Sequence, residues 1–296
     1  MTYLKSYSNN LCNTLILVLS FISLSAIAQQ YEDYESFAAD KREHRSIAAS
    51  DLILHPELAK HLKVEVWATS PTVFSPIAMD MDSEGRIWMT EGIDHLKFDK
   101  ARIKAGKSIV VLTDTDQDGK ADKSHVFVTD DFYQAPYGIS VFDNKIVTSA
   151  TPHITVYTDV NRNAVFDKGI DKKEIFLTGF NLPYGYHAVH TVVPAPSGQW
   201  HFTFGNCGAN IKTKDGREFY AGSYFSNSQA IGKKSSDGHL YIGGLGMRIN
   251  PDGTGLEVTS HNLRNTHDMT VNSFGDIYHT DNDDPPHCRA TWVMEY

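Results

Sequence analysis

The sequence predicts an all-β protein: an incomplete β-propeller of four-stranded blades, with three to four blades of a six-bladed ring. Three observations predict it. From residue 62 onward short β-rich runs alternate with turn residues, and long helical periodicity is absent. A hairpin pattern restarts several times along the chain. A nine-residue acidic loop occurs twice, with starts 45 residues apart. Repeats of four strands at such spacing are typical of propellers.

The repeated hairpin consists of an alternating apolar strand, a turn and a second apolar or aromatic strand. Its four copies lie at 76–90, 137–148, 190–203 and 268–280. We interpret each as the inner hairpin of a blade, because the regular restart favours a propeller over a β-sandwich. The run 62–67 is expected to be an N-terminal strand that would complete a last blade. Since an open ring leaves unpaired edges, we expect the chain to be a fragment of a longer protein.

Three segments are expected to differ from the blades. Residues 1–28 have a basic start at Lys5, an apolar core and a small-residue cleavage motif, which predicts a signal peptide and export to a periplasm or the cell surface, with no membrane span after cleavage. Residues 29–61 are predicted to form a short polar, helical leader, followed by the partial propeller over 62–296. Within it, 208–239 is rich in Gly, Ser, Asn and Lys and is expected to be an exposed insertion loop.

Charge and cysteine content exclude some functions. Without Lys5, 26 basic residues face 36 acidic ones, a surface that disfavours nucleic acids and anionic membranes. Cys12 lies in the signal segment, while Cys207 and Cys288 could form a disulfide or remain two thiols. No Cys-x-x-Cys-His motif occurs, so the chain is expected to carry no haem c of its own.

The acidic loops place oxygen-bearing side chains at positions 1, 3, 5 and 9. These residues are Asp114, Asp116, Asp118 and Asp122 in the first loop, and Asp159, Asn161, Asn163 and Asp167 in the second. Alternating oxygen ligands are typical of calcium loops, and the first loop also has a glycine at position 6. The second has Ala164 there and should bind more weakly. The alternative is a hairpin turn in which Asp and Asn bond their own backbone.

Candidate catalytic residues precede or end the inner strands, where propeller loops converge on a central channel. They lie in the segments 186–190, 262–268 and 278–284. A carboxylate and histidine set in the last segment could alternatively bind a metal or form a solvated turn. Its members are His279, Asp281, Asp283, Asp284 and His287.

Four motifs in this order carry a resemblance: Pro76-Ile-Ala-Met-Asp80, the first acidic loop, Leu263-Arg-Asn-Thr-His267 and Thr280-Asp-Asn-Asp283. Over residues 62–296 the chain resembles the propeller of exported bacterial proteins called membrane-bound dehydrogenase-like. It also resembles the soluble quinoprotein sugar dehydrogenases. Members of the first family commonly continue into further blades, helical repeats and a haem c domain.

The resemblance implies roles for four residues. His187 would be the general base that takes the substrate hydroxyl proton, and Arg264, Asn265 and His267 would bind pyrroloquinoline quinone (PQQ). Arg264 would also be catalytic, because it would stabilise the reduced form of the quinone. The chain departs from the quinoproteins where their Gly pair is Ala188-Val189 and where Thr266 replaces a proline. Without the resemblance, His187 could be an ordinary structural histidine, and Arg264 an inter-blade clamp.

Three functions follow as hypotheses. The first is an exported quinoprotein-type dehydrogenase that oxidises a sugar or other alcohol and passes electrons to a haem c partner or domain. The second is a non-catalytic, calcium-stabilised propeller that binds glycan or protein. The third is a metal-dependent lactonase or hydrolase that uses the channel carboxylates Glu91, Asp268 and Asp281.

Overall fold

The computed structural model describes most of the chain from residue 62 onward. The described residues are 62, 64–69, 72–73, 76–91, 108–130, 136–180, 187–222, 230–282 and 288–294. The predicted signal peptide and leader lie outside them. The chain divides into two compact units, Met1–Val66 with Leu96–Lys100, and Trp67–His95 with Ala101–Tyr296. All strands among the described residues belong to the second unit.

The first two sheets are four-stranded antiparallel meanders. The first contains β1 (Pro76–Met81), β2 (Ile87–Glu91), β3 (Ser108–Thr113) and β4 (Lys123–Thr129). The second contains β5 (Pro136–Phe142), β6 (Lys145–Ala150), β7 (His153–Thr158) and β8 (Lys172–Thr178). In both, the acidic loop joins the two outer strands, as predicted.

An insertion separates the two middle strands of the third sheet along the chain. It contains β9 (Val189–Pro194), β10 (Trp200–Phe204), β14 (Gly244–Ile249) and β15 (Glu257–Leu263). The inserted strands β11 (Ala209–Lys212), β12 (Glu218–Gly222) and β13 (Tyr241–Ile242) form a small sheet of their own. The fourth sheet has β16 (Met269–Val271), β17 (Ile277–Asp281) and β18 (Arg289–Val293).

The inner strands of successive sheets contact one another. Strand β1 contacts β5, β5 contacts β9, and β9 contacts β16. The largest cores lie between successive sheets, and Phe202, which is fully buried, shares one of them with β8 and β11. Burying such a side chain contributes about 1.5–3 kcal/mol. The prediction of an all-β propeller with three blades and the start of a fourth is therefore confirmed.

Two predictions fail in detail. The insertion 208–239 is not simply an exposed loop, because Ile211, Phe219 and Ala221 of its β11–β12 hairpin are buried in the core of the third sheet. Their alternation is short and embedded in polar residues, which hides it in the sequence. Residues 64–69 form no strand; instead Trp67 packs against the first sheet and its carbonyl accepts a hydrogen bond from Ala121. Among the described residues no helix is long and apolar enough to cross a bilayer.

Candidate functional site

The loops at one end of the third and fourth sheets bring most of the predicted catalytic residues together. His187 precedes β9, and residues 264–267 precede β16. Strand β10, which pairs with β9, ends at Phe204, and strand β17, which pairs with β16, ends at Asp281. Antiparallel pairing places the start of one strand beside the end of its partner. We call the residues 187–190, 205–206, 264–267 and 281–282 the inner-loop cluster.

His187 is oriented by an asparagine that the sequence did not single out. Its Nδ1 lies 2.6 Å from Oδ1 of Asn206, a buried residue that follows β10. Because an amide oxygen only accepts, Nδ1 carries the proton and Nε2 is the basic nitrogen of this tautomer. The backbone N–H of Asn206 donates to the carbonyl of Arg264 at 2.7 Å. The pair therefore ties the general-base candidate to the loop before β16.

His190 is the second histidine of the cluster and is held neutral. It is fully buried, its ring lies 4.7 Å from the ring of His267, and its Nε2 lies 2.8 Å from Oδ1 of Asn265. Burial, which disfavours the imidazolium, together with the nearby His267, lowers the pKa of His190 to about 3. A neutral His190 donates to Asn265, and this bond fixes which way the amide group faces.

Asp281 organises the loop before β16. Its buried carboxylate accepts the backbone N–H of Asn265 at 2.8 Å and that of Arg264 at 3.1 Å, and Nη2 of Arg289 lies 2.7 Å away. Because both of its carboxylate oxygens already accept hydrogen bonds, Asp281 is a structural anchor and not an available metal ligand. The guanidinium of Arg264 donates to Oδ1 of Asn282 at 2.7 Å.

Gly205 permits the close packing of these loops. A Cβ at this position would lie 2.7 Å from the carbonyl oxygen of His187 and 2.9 Å from Oδ1 of Asn265. Both distances are too short for a methyl group, so any side chain would push the two loops apart. The cluster therefore depends on a glycine between its histidine and its asparagine.

The alternative metal set of the fourth sheet is only partly described. His279 is buried, its ring nitrogens have no hydrogen-bond partner among the described residues, and burial lowers its pKa. Asp283, Asp284 and His287 lie outside the described residues. Within the described part of the chain, the one group of acidic or histidine side chains close enough to share an ion is Asp114, Asp116 and Asp118.

The two acidic loops have the same backbone form. At position 4, Gln117 and Arg162 have φ of 61° and 58°, and at position 6 Gly119 and Ala164 have φ of 89° and 59°. The position-1 carboxylate accepts the amides of positions 5 and 6 in both loops. In the first loop, carboxylate oxygens of Asp114, Asp116 and Asp118 lie within 4.8 Å of one another.

The second loop is closed by its own hydrogen bonds and joined to the first sheet. The side-chain amides of Asn161 and Asn163 both donate to Asp167 at 2.7 Å. His125 Nε2 lies 2.9 Å from the carbonyl of Ala164, and the amide of Phe166 donates to the carbonyl of Phe127 on β4. This loop connects neighbouring blades.

Cys207 is buried and Cys288 is exposed, and no disulfide joins them in the structure.

A family model described as a domain of unknown function, DUF7133, matches residues 50–295. The chain belongs to the DUF7133 family. No curated protein matches it.

Solved structures similar to this DUF7133 chain include a carbohydrate-active enzyme of family AA12 from Trichoderma reesei. Its iodide structure is 13% identical to this chain and has a TM-score of 0.50. The match covers 77% of this chain and 53% of the enzyme's chain. The calcium structure of that enzyme is 14% identical over the same shares, with a TM-score of 0.47. The holo form of the PQQ domain of pyranose dehydrogenase from Coprinopsis cinerea is 16% identical, covers 74% and 48%, and has a TM-score of 0.43. At these identities the likeness concerns the fold alone. The chain spans about half the length of these structures.

The inner-loop cluster of the DUF7133 chain offers a cation and hydrogen-bond donors, which suit a quinone that carries several carboxylates. Arg264 supplies a permanent cation, Asn265 an amide whose orientation is fixed by His190, and His267 an exposed imidazole. The negative charge of Asp281 faces Arg289 and the loop amides. An anionic ligand would thus meet donors at this end of the sheets.

Proposed function

We propose that this DUF7133 chain is the propeller part of an exported dehydrogenase that oxidises a sugar or another alcohol with PQQ. The observation that carries the proposal is the pair formed by His187 and Asn206, whose Nδ1 and Oδ1 atoms are 2.6 Å apart, together with the backbone hydrogen bond that joins Asn206 to Arg264 on the adjoining loop. A histidine held in one tautomer by a buried partner, with a permanent cation on the adjoining loop, is an arrangement that suits hydroxyl oxidation.

The chain's own residues have separate tasks. His187 takes the hydroxyl proton of the substrate on Nε2, because Nδ1 already donates to Asn206. The resulting imidazolium is stabilised by that amide oxygen. Arg264, Asn265 and His267 would hold PQQ, which supplies the electron-accepting centre when bound. His190 positions Asn265 and takes no part in proton transfer at neutral pH, because its pKa is about 3.

Export and electron transfer complete the proposal. The signal-peptide pattern of residues 1–28 supports a location in the periplasm or at the cell surface. Since no haem motif occurs in the sequence, a haem c partner or domain would receive the electrons. The chain would then be a fragment of a longer protein, which agrees with its half-length match to the solved structures.

The test is reconstitution of the full chain with PQQ and calcium. We expect saturable PQQ binding in equilibrium dialysis and dye-linked oxidation of sugars or other alcohols. His187→Ala should lower the oxidation rate at least about a hundredfold, since a positioned general base contributes roughly 10²–10⁴. Quinone binding by this variant should persist, whereas Arg264→Gln should lose it.

His239→Ala is the matched control, because His239 is exposed and lies outside the inner-loop cluster. It should leave both binding and oxidation unchanged. Absence of quinone binding by the unmodified chain would refute the proposal at its first step. Normal oxidation by His187→Ala would instead remove His187 as the base.

The two alternatives make different demands. A lactonase or hydrolase would need Asp281 as a metal ligand, but its carboxylate already accepts hydrogen bonds from the loop and Arg289. A non-catalytic propeller would bind glycan or protein without binding quinone. If the chain binds glycan but shows no PQQ binding in equilibrium dialysis, the non-catalytic propeller is favoured.

We also propose that the first acidic loop binds calcium. Its three close carboxylates supply hard oxygen ligands, and positions 4 and 6 have the left-handed backbone that wraps an ion. With calcium at a hundred times its Kd, the free energy of unfolding should rise by about 2.7 kcal/mol. Asp116→Ala should abolish that increase. Asp252→Ala, an exposed turn carboxylate in the third sheet, should retain it, and an equal response of both variants would contradict the assignment.

A further inference from the structure

A second arginine, Arg289, lies beside the inner-loop cluster at the start of strand β18. Its Nη2 donates to Oδ2 of Asp281 at 2.7 Å and to the carbonyl of Asn262 at 3.0 Å. The other oxygen of Asp281, Oδ1, accepts the backbone amides of Arg264 and Asn265. One buried carboxylate therefore links the Arg289 guanidinium to the two residues that are proposed to hold the quinone.

The two hydrogen bonds of Arg289 use only one corner of its guanidinium. This group has five N–H donors in a rigid plane, and those on Nε and Nη1 make no hydrogen bond to the described residues. The Arg289 side chain is 48% exposed, whereas that of Asp281 is fully buried. Asp281 thus fixes the guanidinium from the inside, and the remaining N–H groups are available to a ligand that arrives from solvent.

The charge of Arg289 is only partly compensated by its surroundings. In the described part of the chain it pairs with one carboxylate, that of Asp281, which also accepts two loop amides. Burial lowers the pKa of the nearby His279, and the positive charge of Arg289 lowers it further. His279 is therefore neutral at neutral pH. Arg289 thus presents positive charge at the surface, which attracts an anion.

The end of strand β17 positions both arginines before any ligand binds. Arg264 donates from Nη1 to Oδ1 of Asn282 at 2.7 Å, and Arg289 donates to the preceding residue, Asp281. A planar guanidinium matches the two oxygens of a carboxylate group, which makes this pair selective for that kind of anion. Because the side chains are already held in place, little rotamer freedom is lost when the anion binds.

We propose that Arg289 is a second anion-binding residue of this site and that it binds a carboxylate group of the ligand through Nε and Nη1. The inference rests on the proposed function in one respect, that the inner-loop cluster binds an anionic ligand. Two sources carry the group: the quinone itself, and a sugar acid as the substrate. Both present the same planar pair of oxygens, and the experiment separates them.

A double-mutant cycle with PQQ tests the first source in the full chain. If Arg289 acted only through Asp281, Arg289→Gln would add no loss of affinity once Asp281→Asn is present. A direct contact predicts that PQQ binding weakens further, by at least about tenfold, because a hydrogen bond between charged groups is lost. Equilibrium dialysis measures each dissociation constant. Arg248→Gln is the matched control, since Arg248 pairs with the exposed Glu257 of the third sheet, and it should leave PQQ binding unchanged.

A pair of sugars tests the second source without any quinone. Glucuronate carries a carboxylate where glucose carries a primary hydroxyl group. In isothermal titration calorimetry the unmodified chain should bind glucuronate at least about tenfold more tightly than glucose, and Arg289→Gln should remove this preference. A loosened loop would weaken both sugars alike, so the preference is a readout that a purely structural role does not change. Arg289→Lys keeps a cation for Asp281 but has no planar fork, and it should also lose most of the preference.

Either response, in the PQQ cycle or in the sugar preference, supports the assignment and identifies the source of the carboxylate. The absence of both responses would overturn it, as would an equal loss for glucuronate and glucose without a further loss for PQQ. If the unmodified chain binds no PQQ but prefers glucuronate through Arg289, the quinone-dependent function fails and the anion site stands. If it binds neither PQQ nor glucuronate, both proposals fail.

Discussion

Asparagine in place of Asp281 is expected to lower the free energy of unfolding by about 3 kcal/mol and to loosen the loop that carries Arg264 and Asn265. The carboxylate is fully buried, and it accepts two backbone amides and Arg289. Removing one partner of a buried ion pair costs about 3–5 kcal/mol, and we take the low end because Arg289 is 48% exposed. An amide also offers one acceptor oxygen for a site that uses two.

Chemical denaturation measures this loss. Asp268→Asn is the control, because Asp268 lies in the same loop but is exposed and should change stability by less than about 0.5 kcal/mol. PQQ binding by Asp281→Asn should weaken together with stability, since the loop amides lose their acceptor. Equal stability of the two variants would show that Asp281 does not anchor the loop.

Acid should destabilise the protein strongly through His190. The folded state lowers the pKa of His190 from 6.5 to about 3, so the unfolded chain binds the proton first as the pH falls. Its contribution to stability is complete above pH 6.5 and is lost progressively as the pH falls toward 3. At two pH units below the unfolded pKa the loss is about 2.7 kcal/mol.

His190→Gln isolates this effect, because glutamine can still donate to Asn265 but does not titrate. We expect its free energy of unfolding to fall less steeply than that of the unmodified chain between pH 6.5 and 4.5. Burial also lowers the pKa values of His153 and His279, so the difference between the two profiles is the quantity to measure. Parallel profiles for His190→Gln and the unmodified chain would contradict the assignment.

The inner hairpins and acidic loops could be predicted because their signals are local. Gly85, Gly198 and Gly275 each lie between apolar strands, and a positive-φ turn needs residues only a few positions apart. The β11–β12 hairpin could not be predicted, since Ile211 and Phe219 are buried by contacts with the third sheet and not by their own short pattern.

The inner-loop cluster was partly predictable. His187, Arg264, Asn265 and His267 were singled out from motifs, and the structure places them on adjoining loops. Asn206 and Asp281 were not expected to orient and anchor them. Their partners lie 19 and 16 residues away in sequence, and a lone asparagine after a strand carries no local signal.

The sequence by itself determined the blade repeat, the place of the acidic loops between outer strands and the order of the strands, because each depends on turn residues and on alternation between neighbours. Only the tertiary structure decided which side chains meet at the sheet ends. The physical reason is that hydrogen bonds such as Asn206 with His187, or Thr203 with Thr266, need strands from different hairpins to be brought into register.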